Sequence, residues 1–233
     1  MSFLKELHTR PERRIRTAIA AAALVMVVGH LVILNSAAGT DYSIYKTWVS
    51  RFAATPGYGW IIKLSIGLFC IALVDLCRMT IRWTRPLRHR HALKLAWMTL
   101  ATMLIGGLCL VAMYDMYVEP ERGVWSRTVK WATDPWSGPS DQEIEGVHHS
   151  VGFLLFVLGF GLYAALLAIT EWSVGRPAML PTSIFLIIIA AALVAWLMVM
   201  RSQDSLVGIP QRVLLVVVAV WVVRAAATMR KPL

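Results

Sequence analysis

A few residues in this chain have side chains able to do chemistry, and each sits beside a long apolar run. His30 lies inside the first run, Asp115 closes the third, and His148 and His149 open the fourth. Gln211 and Arg212 stand about one turn into the sixth, behind Asp204, Gly208 and Pro210. Neutral imidazoles with a carboxylate can hold a metal that activates water or polarises a carbonyl. An imidazole beside a carboxylate can also act as a general base, because its pKa lies close to working pH. A guanidinium such as that of Arg212 clamps a phosphate or carboxylate by two parallel N–H bonds, as a lipid headgroup would need. His149, Asp115 and Arg212 are therefore the candidate catalytic residues, and His30 and Gln211 the candidate ligand-binding ones. His149 and His30 are the candidates for a metal, or for a haem held between two imidazoles, and the identity of any cofactor stays open. The sequence contains no HxxxH, HExxH or GxSxG, so the signal is a shared depth rather than a motif.

The doubled histidine can be resolved by geometry. Neighbouring helical positions point about 100° apart, so one of the two must face away from a helix bundle. His149 shares a face with Gly152, Phe156 and Gly159, small and apolar residues suited to close helix packing. His149 is expected to face the bundle and His148 water.

These residues need elements to position them, and composition says what those are. The chain is 58% hydrophobic and 15% charged, where a soluble domain would carry roughly 25% charged residues. Six runs are long enough to cross a bilayer core of about 30 Å: 18–37, 60–81, 92–113, 147–170, 179–200 and 207–228. An unpaired backbone polar group in lipid costs several kcal/mol, so each run must close its own hydrogen bonds as a helix. Runs such as "FLIIIAAALVAWLMVM" show no strand-like alternation. The expected fold is all-α, one transmembrane domain of six helices over residues 1–233, with no separate soluble domain.

Charge orients the bundle. If the N-terminus is cytoplasmic, 15 of the 23 Lys and Arg but only four of the 13 Asp and Glu fall on the inner side. That bias places both termini in the cytoplasm of a prokaryotic plasma membrane. The basic runs "RPERRIR" and "RWTRPLRHRH" then serve topology and attraction to anionic lipid rather than nucleic acid, which is not an expected partner. The first run resembles a signal sequence, with "NSAAG" as a cleavage-like site, but it is long for one and a polytopic body follows, so it is expected to stay. His30 would lie about 10 Å below the outer surface. Asp75, Arg78 and Arg82 share a helix face at the inner end and read as an interfacial ion pair, while Lys63 and Arg224 can snorkel. Cys70, Cys77 and Cys109 all lie within runs and read as packing residues rather than a disulfide framework.

Two outer loops are long, 39–59 and 118–146. In the first, Tyr45, Trp48, Val49 and Phe52 fall at i, i+3, i+4 and i+7 and predict a short helix lying flat on the outer leaflet, ended by Pro56 and Gly57. The second holds Trp125, Trp131 and Trp136, expected as interface anchors. Together they could lid the mouth of the bundle. Six spans divide as three plus three, as in some transporters, but the Gly/Pro-interrupted helices expected of a substrate site are absent.

The stretches "WVSRFAATPGYGW", "GVHHSVGFLLF" and "GIPQRVLLVVVAVW", in this order relative to the spans, resemble the domain of unknown function 998 family of prokaryotic six-span proteins. The resemblance runs from about Ile15 to Ala227. It implies a plasma-membrane helix bundle and marks Ser50, His149, Gln211 and Arg212 as family-type positions, with Ser50 joining the candidate ligand-binding residues. It brings no activity. The functional expectation is lipid handling at an outward-facing His/Asp/Arg site, with membrane lipids as partners. The alternatives are a non-catalytic scaffold or subunit of another membrane protein, where the polar groups satisfy one another, and a small-solute transporter.

Overall fold

The computed structural model describes residues 11–36, 52–53, 55, 57–87, 89–113, 141–175, 178, 180–200 and 208–229. Its described residues form six helices: α1 (Pro11–Leu34), α2 (Gly59–Trp83), α3 (Arg90–Met113), α4 (Asp141–Ser173), α5 (Leu180–Met200) and α6 (Gly208–Thr228). Five of them are long and apolar enough to cross a membrane. In α5 the qualifying stretch among the described residues is the shorter Leu180–Ala192, although its 21 residues carry no charge. The surface inverts the soluble pattern: Leu24, Val27, Leu31, Phe185, Ile188 and Val216 are each more than half exposed. This is a multi-pass membrane protein, with the all-α fold expected from hydropathy.

Helix ends follow local chemistry. Pro11 and Glu12 open α1, a proline where the missing N–H is harmless and an acid facing the positive end of the helix dipole. Pro210 occupies the first turn of α6 for the same reason. Gly175, at φ 73°, ends the turn after α4 in the left-handed region that glycine alone enters freely. α1 stops at Leu34, three residues earlier than hydropathy predicts, so His30 lies one turn from the helix end, about 6 Å rather than about 10 Å.

Consecutive helices pack antiparallel in two close hairpins. In α1–α2, the Ser65 hydroxyl donates to the Ala22 carbonyl at 2.7 Å, and a β-carbon on Gly29 would meet Ile62 at 2.7 Å. In α3–α4 the backbones approach still more closely, at Gly107, Gly152 and Gly159: a β-carbon on Gly107 would lie 2.5 Å from the Gly152 carbonyl oxygen. Small residues permit that approach, and dispersion between the helices holds it, since lipid offers no hydrophobic drive between spans. α6 touches α1 and α2 more sparingly and leans on α5. Between these units Trp97, Tyr163, Phe160 and Trp221 form the buried centre, with ring centroids 4.6 Å apart for Trp97–Tyr163 and 5.2 Å for Phe160–Trp221.

At the end of the bundle where α1 begins, polar groups pair with one another. Arg14 reaches Asp75 at 3.0 and 2.9 Å, and Arg78 lies 3.5 Å from the same carboxylate. The ion pair expected on α2 is present, and its nearer cation comes from α1. Tyr163 donates to Thr80 Oγ1 at 2.7 Å, which donates in turn to the Leu76 carbonyl at 2.9 Å. The Trp221 indole donates to Ser183 at 3.2 Å. Cys77 is buried against the Trp97 carbonyl. All three cysteines are free.

Candidate functional site

The site begins with His30 on α1. Its side chain is 8% exposed, and Nδ1 lies 2.7 Å from the Met26 carbonyl one turn earlier. A carbonyl can only accept, so Nδ1 carries the proton and the neutral ring presents a lone pair at Nε2. Nε2 is buried and has no hydrogen-bond partner among the described residues.

Phe52 brings the second group. Its ring centroid lies 4.4 Å from that of His30, and the Arg212 guanidinium sits over its face, 5.3 Å from the centroid. A cation over an aromatic face is held by the ring quadrupole. Phe52 and Ala53 are helical, as expected, and Phe52 is fully buried in a cluster with Ile33, Ala53 and Ile62. The aromatic pattern that suggested interface residence is equally satisfied by insertion between helices, and the gap above Ile62 and Ile33 takes the ring. The rest of that pattern, Tyr45, Trp48 and Val49, lies outside the described residues.

Below these two groups runs a cavity of about 370 Å³ between α1, α2 and α6. His30 and Arg212 line one end. Its walls are apolar, including Met26, Ile66, Phe69 and Leu215, with Leu108 contributed by α3. Ser65 also lines it, but its hydroxyl is spent on Ala22. On one side the rim is made by Val27, Leu31 and Val216, at 57%, 53% and 62% exposure, so the cavity is a groove open at the apolar outer surface of the helices.

The other expected residues divide. His149 is 3% exposed and His148 is exposed. His149 stands on α4 one turn before Gly152, the residue that meets α3 at Gly107 and Leu110, and it does not line the groove. The two imidazoles therefore do not bracket that cavity. Gln211 is 7% exposed beside Arg212 and likewise lies outside the lining. Asp115 and Ser50 lie outside the described residues, as do Trp125, Trp131 and Trp136. Among the described residues no three His, Cys, Asp or Glu side chains come together as a metal site. The residues that sequence reasoning missed are Phe52, for the reason given, and Glu171, a fully buried carboxylate on α4 that the sequence marks only as one acid at the end of an apolar run.

The arrangement can bind an elongated apolar group with a polar head. The family described as protein of unknown function (DUF998) matches residues 18–228. No curated protein and no solved structure matches the chain.

Proposed function

Because this chain belongs to the DUF998 family of membrane proteins of unknown function, whose membership assigns no reaction, we propose that it handles lipid, taking a lipid chain into the groove between α1, α2 and α6. The orientation adopted is the one the charge bias favours: both termini in the cytoplasm of a prokaryotic plasma membrane, the groove's polar end outward. The observation that carries the reading is the groove itself, apolar along its walls, rimmed by lipid-facing side chains, and headed by His30 and Arg212. From Ile19 to Leu31 it follows α1 for twelve residues, about 18 Å. That is close to the depth of one leaflet, half of a hydrocarbon core of about 30 Å. The reading is one of binding, and no reaction is assigned to it.

The test is native mass spectrometry of protein released in mild detergent, comparing wild type with Ala219→Trp, which fills the groove from α6. Wild type is expected to carry a lipid adduct that the variant loses while keeping its helical circular dichroism. Equal lipid adducts in both would overturn the reading. A scaffold is the second reading, favoured by the Asp75 end, where Arg14 pairs with Asp75, Tyr163 with Thr80 and Trp221 with Ser183. Bare-chain masses in both samples with a stoichiometric co-purifying protein would support it.

A further inference from the structure

We propose that the groove selects its lipid by the headgroup, taking an anionic phospholipid whose headgroup carries a free hydroxyl, with the phosphate on Arg212 and the hydroxyl on His30. The proposal rests on the lipid-groove reading and goes beyond it by naming what the polar end recognises.

The chemistry follows from two side chains at one depth. Arg212 lines the groove in the second turn of α6, over the Phe52 face, and His30 lines it one turn from the end of α1. Both therefore stand within about 6 Å of a helix end, the level at which phosphate and glycerol lie when an acyl chain fills the groove below. Arg212 supplies a permanent positive charge and paired N–H donors, which fit phosphate oxygens. A choline headgroup would bring a second cation to the same place.

His30 adds a different requirement. With Nδ1–H committed to Met26, the neutral ring offers Nε2 only as an acceptor. A buried acceptor with nothing bound is a standing penalty, relieved by a ligand O–H. The ligand that satisfies both groups has an anionic oxygen and a hydroxyl on the same headgroup, as phosphatidylglycerol does.

The experiment uses the full chain in detergent with equimolar probe lipids of one acyl composition, read by native mass spectrometry. The probes are phosphatidylglycerol, phosphatidylmethanol (an anionic phosphodiester without the hydroxyls) and phosphatidylcholine. Wild type is expected to prefer phosphatidylmethanol over phosphatidylcholine several-fold, because the choline cation adds like-charge repulsion beside Arg212. It should prefer phosphatidylglycerol over phosphatidylmethanol several-fold, the size of one ordinary hydrogen bond. Arg212→Gln should remove the first preference and Arg212→Lys retain most of it, which separates lost recognition from lost folding. His30→Phe should remove only the second preference.

Equal wild-type adducts of all three lipids, each lost in Ala219→Trp, would overturn the headgroup inference and leave the groove reading standing. Adducts indifferent to Ala219→Trp would overturn both. Equal binding of phosphatidylglycerol and phosphatidylmethanol in wild type would overturn the role of His30.

Discussion

The α3–α4 seam makes a sharp prediction from two adjacent glycines. A β-carbon on Gly107 would lie 2.5 Å from the Gly152 carbonyl oxygen and 2.6 Å from the Phe156 backbone nitrogen, whereas one on Gly106 would meet nothing within 4 Å. Carbon–oxygen contacts settle at about 3.3–3.6 Å, so Gly107→Ala must part the two helices by about 1 Å. A gap of that size forfeits roughly a quarter to a half of each dispersion contact along the seam. The whole effect should match other overpacked sites, about 1–3 kcal/mol. Both substitutions gain the same helix propensity, about 1 kcal/mol, so that contribution cancels between them. In detergent, thermal unfolding followed by circular dichroism should place Gly107→Ala below Gly106→Ala by about 2–12 °C, at roughly 2–4 °C per kcal/mol for a chain of this size. Equal midpoints would refute the close approach, and with it the burial of His149 one turn from Gly152.

Two further outcomes follow from the same physics. Asp75→Asn and Arg14→Gln should each destabilise, and the double variant should lose less than the sum, with a coupling of about 1–2 kcal/mol. That figure is intermediate between exposed and buried charged pairs, because Arg14 is a third exposed and Asp75 is not. A coupling near zero in a double-mutant cycle would mean that the pair does not join α1 to α2. In a variant without native cysteines, His148→Cys should label in intact cells with a membrane-impermeant maleimide and His149→Cys should resist. Labelling of both would refute the burial of His149, and labelling of His148→Cys only from the cytoplasmic side would refute the orientation.

How much of this was legible beforehand depended on whether the information was local. Hydropathy alone located the six helices to within a few residues at most ends, because the bilayer demands length and apolarity whatever the neighbours do. α1 and α4 depart most, beginning at Pro11 and Asp141, seven and six residues ahead of their apolar runs, because polar residues can extend a helix beyond the lipid. The face shared by His149, Gly152, Phe156 and Gly159 was readable because helical periodicity fixes it, and all four are buried. Asp75 with Arg78 was readable for the same reason. The Arg14–Asp75 bond was not, since it joins residues 61 positions apart. Nor was the burial of Phe52, because an aromatic ring before a span fits equally at the interface or between helices. The groove has no sequence signature at all. It is the space left by three helices, and only His30 and Arg212, expensive in an apolar setting, announced one end of it.

The uneven packing of the helices has a mechanical consequence. α1–α2 and α3–α4 pack closely, α3–α4 with backbone against backbone at Gly107 and Gly152, while α6 meets α1 and α2 through fewer points. Compliance is therefore concentrated at one joint, and the groove lies along that joint. If a lipid fills the groove as proposed, one of slightly greater girth would work against this sparse seam before it works against the two closely packed hairpins. Because Arg212 rides on α6 and His30 on α1, widening the joint also separates the two groups at its head. On the proposed reading, girth and headgroup would be gauged together by a displacement of α6 against the α1–α2 pair.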